Sequence, residues 1–120
     1  MGPDRTDGHR RAEEWSLYYH RLVAQKLRDA PEAVLAKARR NLAEMRRLHG
    51  PSVEPYAARW EELLDGPVEE LLQALSSPSE EDRALRQCTP FAGVLSPRER
   101  WEAYRAWSHE RRRADAARPT

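Results

Sequence analysis

The helical pattern of this chain is clearest in residues 15–27, which read WSLYYHRLVAQKL. Apolar side chains recur here at steps of three and four residues, so they form one broad stripe on an α-helix. The members of the stripe are Trp15, Tyr18, Tyr19, Leu22, Val23 and Leu27. This pattern predicts a first helix over residues 9–29 whose apolar face packs against the rest of the protein.

Proline and glycine mark the limits of the following helices. Pro31 suits the first turn of a second helix, and Gly50-Pro51 ends it. Because the connection between the first two helices is short, they should form a long antiparallel hairpin. A third helix is expected after Pro55, and a fourth begins at Pro67.

Two serine-proline sequences predict the starts of the last helices. Ser77-Pro78-Ser79-Glu80 has the spacing of a capping box with Ser77 as the N-cap, which predicts a fifth helix over residues 78–87. Ser96-Pro97-Arg98-Glu99 repeats the device before a sixth helix that should continue to about residue 114.

The fold class follows from these elements and from the chain length. No stretch alternates apolar and polar residues long enough to predict a strand, and 120 residues are too few for two independent cores. We therefore predict an all-α, single-domain bundle of five to six helices over residues 9–116. Residues 1–8 should be disordered, and residues 117–120 should fray.

Composition excludes several functional classes. Lysine and arginine number 21 and acidic residues 20, so the net charge of +1 gives no global attraction to nucleic acid or anionic lipid. No apolar run approaches the ~20 residues that span a bilayer, and no signal peptide is evident. We expect a cytoplasmic protein. The arginine-rich, isoleucine-free composition is typical of GC-rich bacterial genomes.

Motifs for catalysis or metal binding are absent from the sequence. The spacings of the four histidines match no zinc signature, and Cys88 is the only cysteine. Neither a nucleophile elbow nor a phosphate-binding glycine loop is present. We therefore predict a protein that is not an enzyme and needs no cofactor. A polar pocket with a strongly shifted carboxylate or histidine pKa would instead favour an active site assembled across helices.

The segment Thr89–Leu95 allows two interpretations. It is an apolar, glycine-containing connection between two helices, and it holds the only phenylalanine. In the first interpretation Phe91, Val94 and Leu95 fill the core while Pro90 and Gly93 shape the turn. In the second, the segment and its flanking arginines form a recognition surface. The candidate partner-binding residues are then Arg86, Gln87, Phe91, Arg98, Arg100 and Trp101.

The carboxy-terminal helix carries two further features. Most tryptophans fall on apolar stripes, but Trp107 lies late in the chain, where its exposure would indicate an interface. From Arg98 onward there are four acidic residues and seven arginines, and the arginines include the run Arg111, Arg112 and Arg113. These arginines could bind nucleic-acid phosphates, although the helix dipole also favours cations near a carboxyl end.

Two runs resemble a known group of proteins. Residues 85–87 (LRQ) and 89–101 (TPFAGVLSPRERW) are similar to the carboxy-terminal signature of small, largely uncharacterised bacterial helical proteins, and residues 22–27 and 38–42 extend the resemblance. Some members are associated with toxin-antitoxin gene pairs. The resemblance implies an antitoxin-like protein that masks a partner. We thus expect a non-enzymatic module that binds a partner protein or forms a homodimer, with a nucleic-acid-binding regulator as the alternative.

Overall fold

This computed structural model describes residues 5–117, except for the side chains of residues 5–7 and residue 9. The described chain forms six α-helices and one 3-10 turn, joined by connecting segments. The predicted all-α bundle is confirmed, and the described residues contain no strand. The elements in chain order are α1 (Arg5–Asp29), α2 (Pro31–His49), the 3-10 turn (Gly50–Ser52), α3 (Glu54–Asp65), α4 (Val68–Ser76), α5 (Glu80–Gln87) and α6 (Pro97–Ala117).

The ends of α1 and α6 differ from the prediction. Helix α1 begins at Arg5, so residues 5–8 are helical rather than disordered. Helix α6 runs through Ala117, beyond the predicted end near residue 114. Once a helix exists, each further residue adds a hydrogen bond without a new nucleation cost, so polar residues can extend it without an apolar pattern. The predictions for residues 1–4 and 118–120 lie outside the described residues.

The two predicted capping boxes have different outcomes. Ser79, not Ser77, caps α5: its Oγ accepts a hydrogen bond from the Asp82 backbone N–H at 3.2 Å. The prediction was two residues early because Ser79 also has an acidic residue three positions later. The second box is confirmed, since the Ser96 N–H donates to Glu99 Oε1 at 3.0 Å and the Glu99 N–H donates to Ser96 Oγ at 3.1 Å.

Helix α1 is the central element of the bundle. It packs against α2, α4, α5 and α6, while α3 lies against α2 and α4. The contact between α1 and α2 agrees with the predicted amino-terminal hairpin. At the centre of the core, the fully buried rings of Trp60 and Phe91 meet edge to face at 5.5 Å. No helix in the described range is long and apolar enough to cross a membrane.

Candidate binding cleft and docking face

The segment Thr89–Leu95 is part of the core. Phe91 is 0% exposed, and Val94 and Leu95 are also buried. Gly93 has a φ of 76°, a conformation that side chains other than glycine rarely adopt. The first interpretation of this segment is therefore confirmed. The ring of Phe91, predicted to lie on a recognition surface, instead fills the interior.

Side chains from the first two helices fix the backbone of this segment. Asn41 Nδ2 donates to the carbonyl oxygens of Pro90 at 2.8 Å and Ala92 at 2.9 Å. The Tyr19 hydroxyl donates to the Phe91 carbonyl at 2.9 Å. Buried carbonyl groups need such partners, and a connection outside a helix has to obtain them from elsewhere. These hydrogen bonds therefore hold the backbone of the segment in one conformation.

Arg86 is buried as well. It is 3% exposed, and its Nη1 donates to the Ala74 carbonyl near the end of α4 at 2.8 Å. Among the described side chains, no carboxylate oxygen lies within 4.0 Å of its guanidinium. Arg86 does not lie on an outer surface, so its predicted place in a surface-exposed binding site was wrong. The remaining candidates, Gln87, Arg98, Arg100 and Trp101, are exposed.

Helix α6 presents aromatic residues outward. Trp101 is 61% exposed and Tyr104 is 42% exposed, and their rings stack at 6.5 Å with an interplanar angle of 15°. Trp107, which the sequence marked for possible exposure, is buried against Trp15 at 5.5 Å. The exposed tryptophan of this helix is therefore Trp101.

These aromatics belong to one stripe that we call the α6 outer face. Its residues line a shallow depression of about 630 Å³ on α6. One edge of the stripe reaches α1, where the Tyr104 ring meets Trp15 edge to face at 5.2 Å. The stripe combines two aromatic rings with two guanidinium groups, and Glu102 also lines the depression. Arg98 lies beside it with its side chain 89% exposed and its Nε 3.2 Å from Glu102 Oε1. The members of the α6 outer face are Trp101, Tyr104, Arg105, Ser108 and Arg112.

A second concave feature, the α1 cleft, lies between α1, the segment after α5 and the start of α6. Its volume is about 560 Å³. It has three cationic side chains and no acidic one among its described lining residues. Aromatic and aliphatic groups, together with the uncharged polar residues Ser16, His20 and Thr89, form the rest of its wall. The lining comprises Trp15, Ser16, Tyr19, His20, Lys37, Arg86, Thr89, Ala92, Gly93, Leu95, Pro97 and Arg100.

His20 links α1 to the segment beside this cleft. Its Nδ1 lies 2.7 Å from the Ser16 carbonyl oxygen, which can only accept, so Nδ1 carries the proton and donates. The lone pair on Nε2 then accepts from the Thr89 hydroxyl at 2.8 Å. The Thr89 oxygen in turn accepts from the Phe91 N–H at 3.1 Å. The spacing of the four histidines bears only on metal binding and did not indicate this role for His20.

Burial keeps the His20 imidazole neutral. Removal from water lowers its pKa from 6.5 to about 4, the Ser16 hydrogen bond opposes that change, and the charge of Arg86 adds to it. A hydroxyl bonded to a neutral histidine resembles an activated nucleophile. However, a base with a pKa of about 4 binds a proton weakly and supplies little driving force for deprotonating Thr89. The geometry suits a buried structural link better than a catalytic pair.

The three arginines of the run 111–113 have different environments. Arg111 pairs with Glu14 of α1, and its guanidinium lies 5.7 Å from the centre of the Trp107 ring. Arg112 and Arg113 are exposed. Only part of the predicted nucleic-acid contact is therefore available, because Arg111 helps to hold α6 against α1.

Neither a metal-binding cluster nor a similar known protein indicates a function. Among the described side chains of residues 8 and 10–117, no three His, Cys, Asp or Glu residues are grouped closely enough to hold a metal ion. Comparison of the chain with protein-family models, with characterised proteins and with solved structures finds nothing significantly similar. Hypotheses about function therefore depend on the residues themselves.

Proposed function

We propose that this protein is a non-enzymatic protein-binding module whose docking surface is the α6 outer face. The observation that supports this proposal is the exposed Trp101–Tyr104 stack on a helix that is otherwise mostly charged. Tryptophan, tyrosine and arginine contribute most of the binding energy at protein interfaces, usually where a large side chain enters a pocket on the partner. Trp101 is the anchor in this proposal.

The charges around the anchor favour an acidic partner. Arg98 and Arg100 precede Trp101, and Arg105 and Arg112 follow along the same helix. A guanidinium can bind a carboxylate through two parallel hydrogen bonds, which gives orientation as well as attraction. The partner should therefore have a pocket for an indole ring with carboxylates around it. In its most concrete form the partner is a toxin in a bacterial cytoplasm that this chain masks as an antitoxin, as the sequence resemblance implies.

Affinity purification from the native host tests this proposal. The tagged full-length protein should recover one partner in stoichiometric amount, and Trp101→Ala or Arg98→Glu should reduce that recovery strongly. Leu48→Ala and Arg40→Glu on α2 are matched controls, because Leu48 is also 61% exposed and Arg40 is also exposed. Equal recovery by all four variants, or recovery of no protein, would contradict the proposal. Recovery of a second copy would make the partner a homodimer subunit.

The alternative is a nucleic-acid-binding regulator. The exposure of Arg112 and Arg113 favours it, since phosphate contacts need accessible cations. Retention on heparin that falls steeply with salt, and that Arg112→Gln with Arg113→Gln abolishes, would support this alternative. These substitutions keep the contacts of Arg111 with Glu14 and Trp107 intact, so a loss of retention would report on the exposed arginines alone.

A further inference from the structure

Arg86 is a buried cation whose neighbouring carboxylates are already engaged. It also borders a second cavity that contains Glu13 and Glu14. Glu13 lies 3.4 Å from Arg83, and Glu14 pairs with Arg111. Burying a charge without a direct ion pair destabilises the folded state, and the acidic residue that acts on Arg86, Asp82, is not within ion-pair distance of it. The position of Arg86 therefore needs an explanation beyond packing.

The one hydrogen bond of Arg86 does not supply that explanation. Its Nη1 donates to the Ala74 carbonyl, but a neutral donor such as an amide could make the same bond without the cost of burying a charge. Burial lowers the pKa of Arg86; the nearby carboxylate of Asp82 opposes this change, and the cations Arg83 and Arg21 add to it. A positive charge here is useful where an anion can reach it.

The α1 cleft gives an anion that access. Arg86 lines it together with Lys37 and Arg100, while the described part of its lining contributes no negative charge. Trp15 and Leu95 provide apolar surface in the same cleft. Its volume of about 560 Å³ lies within the range of small-molecule sites, which are mostly apolar with a few placed polar groups.

We propose that the α1 cleft binds a small organic anion, with a carboxylate or phosphate group against Arg86 and an apolar group against Trp15 and Leu95. The planar guanidinium matches both head groups through paired hydrogen bonds. Arg100 at the mouth of the cleft adds a second, exposed cation. Arg100 lies between this cleft and the proposed docking surface, whereas Arg86 belongs to the cleft and not to the α6 outer face.

Titration of the full-length protein with benzoate and with benzamide tests the charge requirement. The two probes have the same shape, but only benzoate is an anion. In ¹H–¹⁵N NMR spectra, benzoate at millimolar concentration should shift the Arg86 Nε–H and Thr89 amide signals in a saturable way. Benzamide should bind at least about tenfold more weakly, because it lacks the charge-assisted bond. Phenyl phosphate in a third titration distinguishes the two head groups by their relative affinity.

Variants of two arginines on α5 locate the anion. Arg86→Met should weaken benzoate binding at least about tenfold. Arg83→Met should leave it unchanged, since Arg83 is on the same helix but does not line the cleft. Should Arg86→Met fail to fold, Arg100→Met provides the test, because an exposed cation should contribute only a few-fold. Absence of saturation, equal binding of benzamide, or unchanged affinity in Arg86→Met or Arg100→Met would overturn the proposal.

Discussion

His20 should make the stability of this protein depend on pH in the mildly acidic range. Burial lowers the His20 pKa from 6.5 to about 4. As the pH falls from about 6.5 to about 4, the unfolded chain binds a proton at this position and the folded protein does not. Proton uptake by the unfolded state favours unfolding, so the stabilising effect is complete above pH 6.5 and is lost towards pH 4.

The size of this effect follows from the two pKa values. Each pH unit between them corresponds to about 1.4 kcal/mol, so the free energy of unfolding should fall by about 3 kcal/mol across the range. A domain of this size has a total stability of about 5–15 kcal/mol. Since His20 is only 2% exposed, little solvent screening reduces the effect. The loss should therefore be readily measurable.

Urea denaturation, followed by far-ultraviolet circular dichroism, measures how the free energy of unfolding depends on pH. The wild type and His20→Gln should be compared at several values between about pH 7 and about pH 4.5, with exposed His49→Gln as the control. The variant should be less stable near neutral pH, because Ser16 and Thr89 lose their partner, but its stability should change less with pH. Parallel profiles for the wild type and His20→Gln would refute the assignment of a buried neutral imidazole.

Three further results are expected from the same unfolding measurements. Phe91→Ala should lower the free energy of unfolding by about 3–5 kcal/mol, because Phe91 is fully buried, and Trp101→Ala by at most about 0.5 kcal/mol, because Trp101 is exposed. Losses of similar size for the two variants would contradict this difference in burial. Tyr19→Phe should cost about 1 kcal/mol, because the Phe91 carbonyl loses its donor; no loss would argue against that bond. Hydrogen bonds from Lys26 and from the Ser96 N–H lower the Glu99 pKa to about 2. The stability that ionised Glu99 contributes above pH 4.5 is therefore lost towards pH 2, and Lys26→Met should weaken this pH dependence; an unchanged dependence would argue against the Lys26 bond.

The helices were predictable because their signals are local. Pro31 begins α2 as expected, since a proline favours the first turn and disfavours continuation of the preceding helix. The Ser96–Glu99 box formed as the spacing indicates, because its two hydrogen bonds involve residues three positions apart. Where two serines competed for one cap, Ser77 and Ser79, local spacing alone did not decide between them.

The candidate site was harder to predict because it depends on contacts between distant segments. Arg86 occupies a position that suits a surface helix, and its burial arises from its hydrogen bond to Ala74 on another helix. Trp101 and Trp107 lie about 120° apart around α6, and only the position of α1 determines which one is covered. His20 adjoins Tyr19 and lies three residues before Val23, so its spacing from members of the apolar stripe was the available signal for a core role.

The way in which Thr89–Leu95 is held determines where recognition can occur. A recognition loop changes conformation on binding or presents side chains to solvent, but this segment has its carbonyls bonded to Tyr19 and Asn41 and its phenylalanine in the core. A change in its path would break these three hydrogen bonds at once and expose the Phe91 ring. Its exposed groups therefore serve as fixed walls of the α1 cleft. Adaptable contact is left to the long side chains of α6, whose start is fixed to the same segment by the Ser96–Glu99 cap.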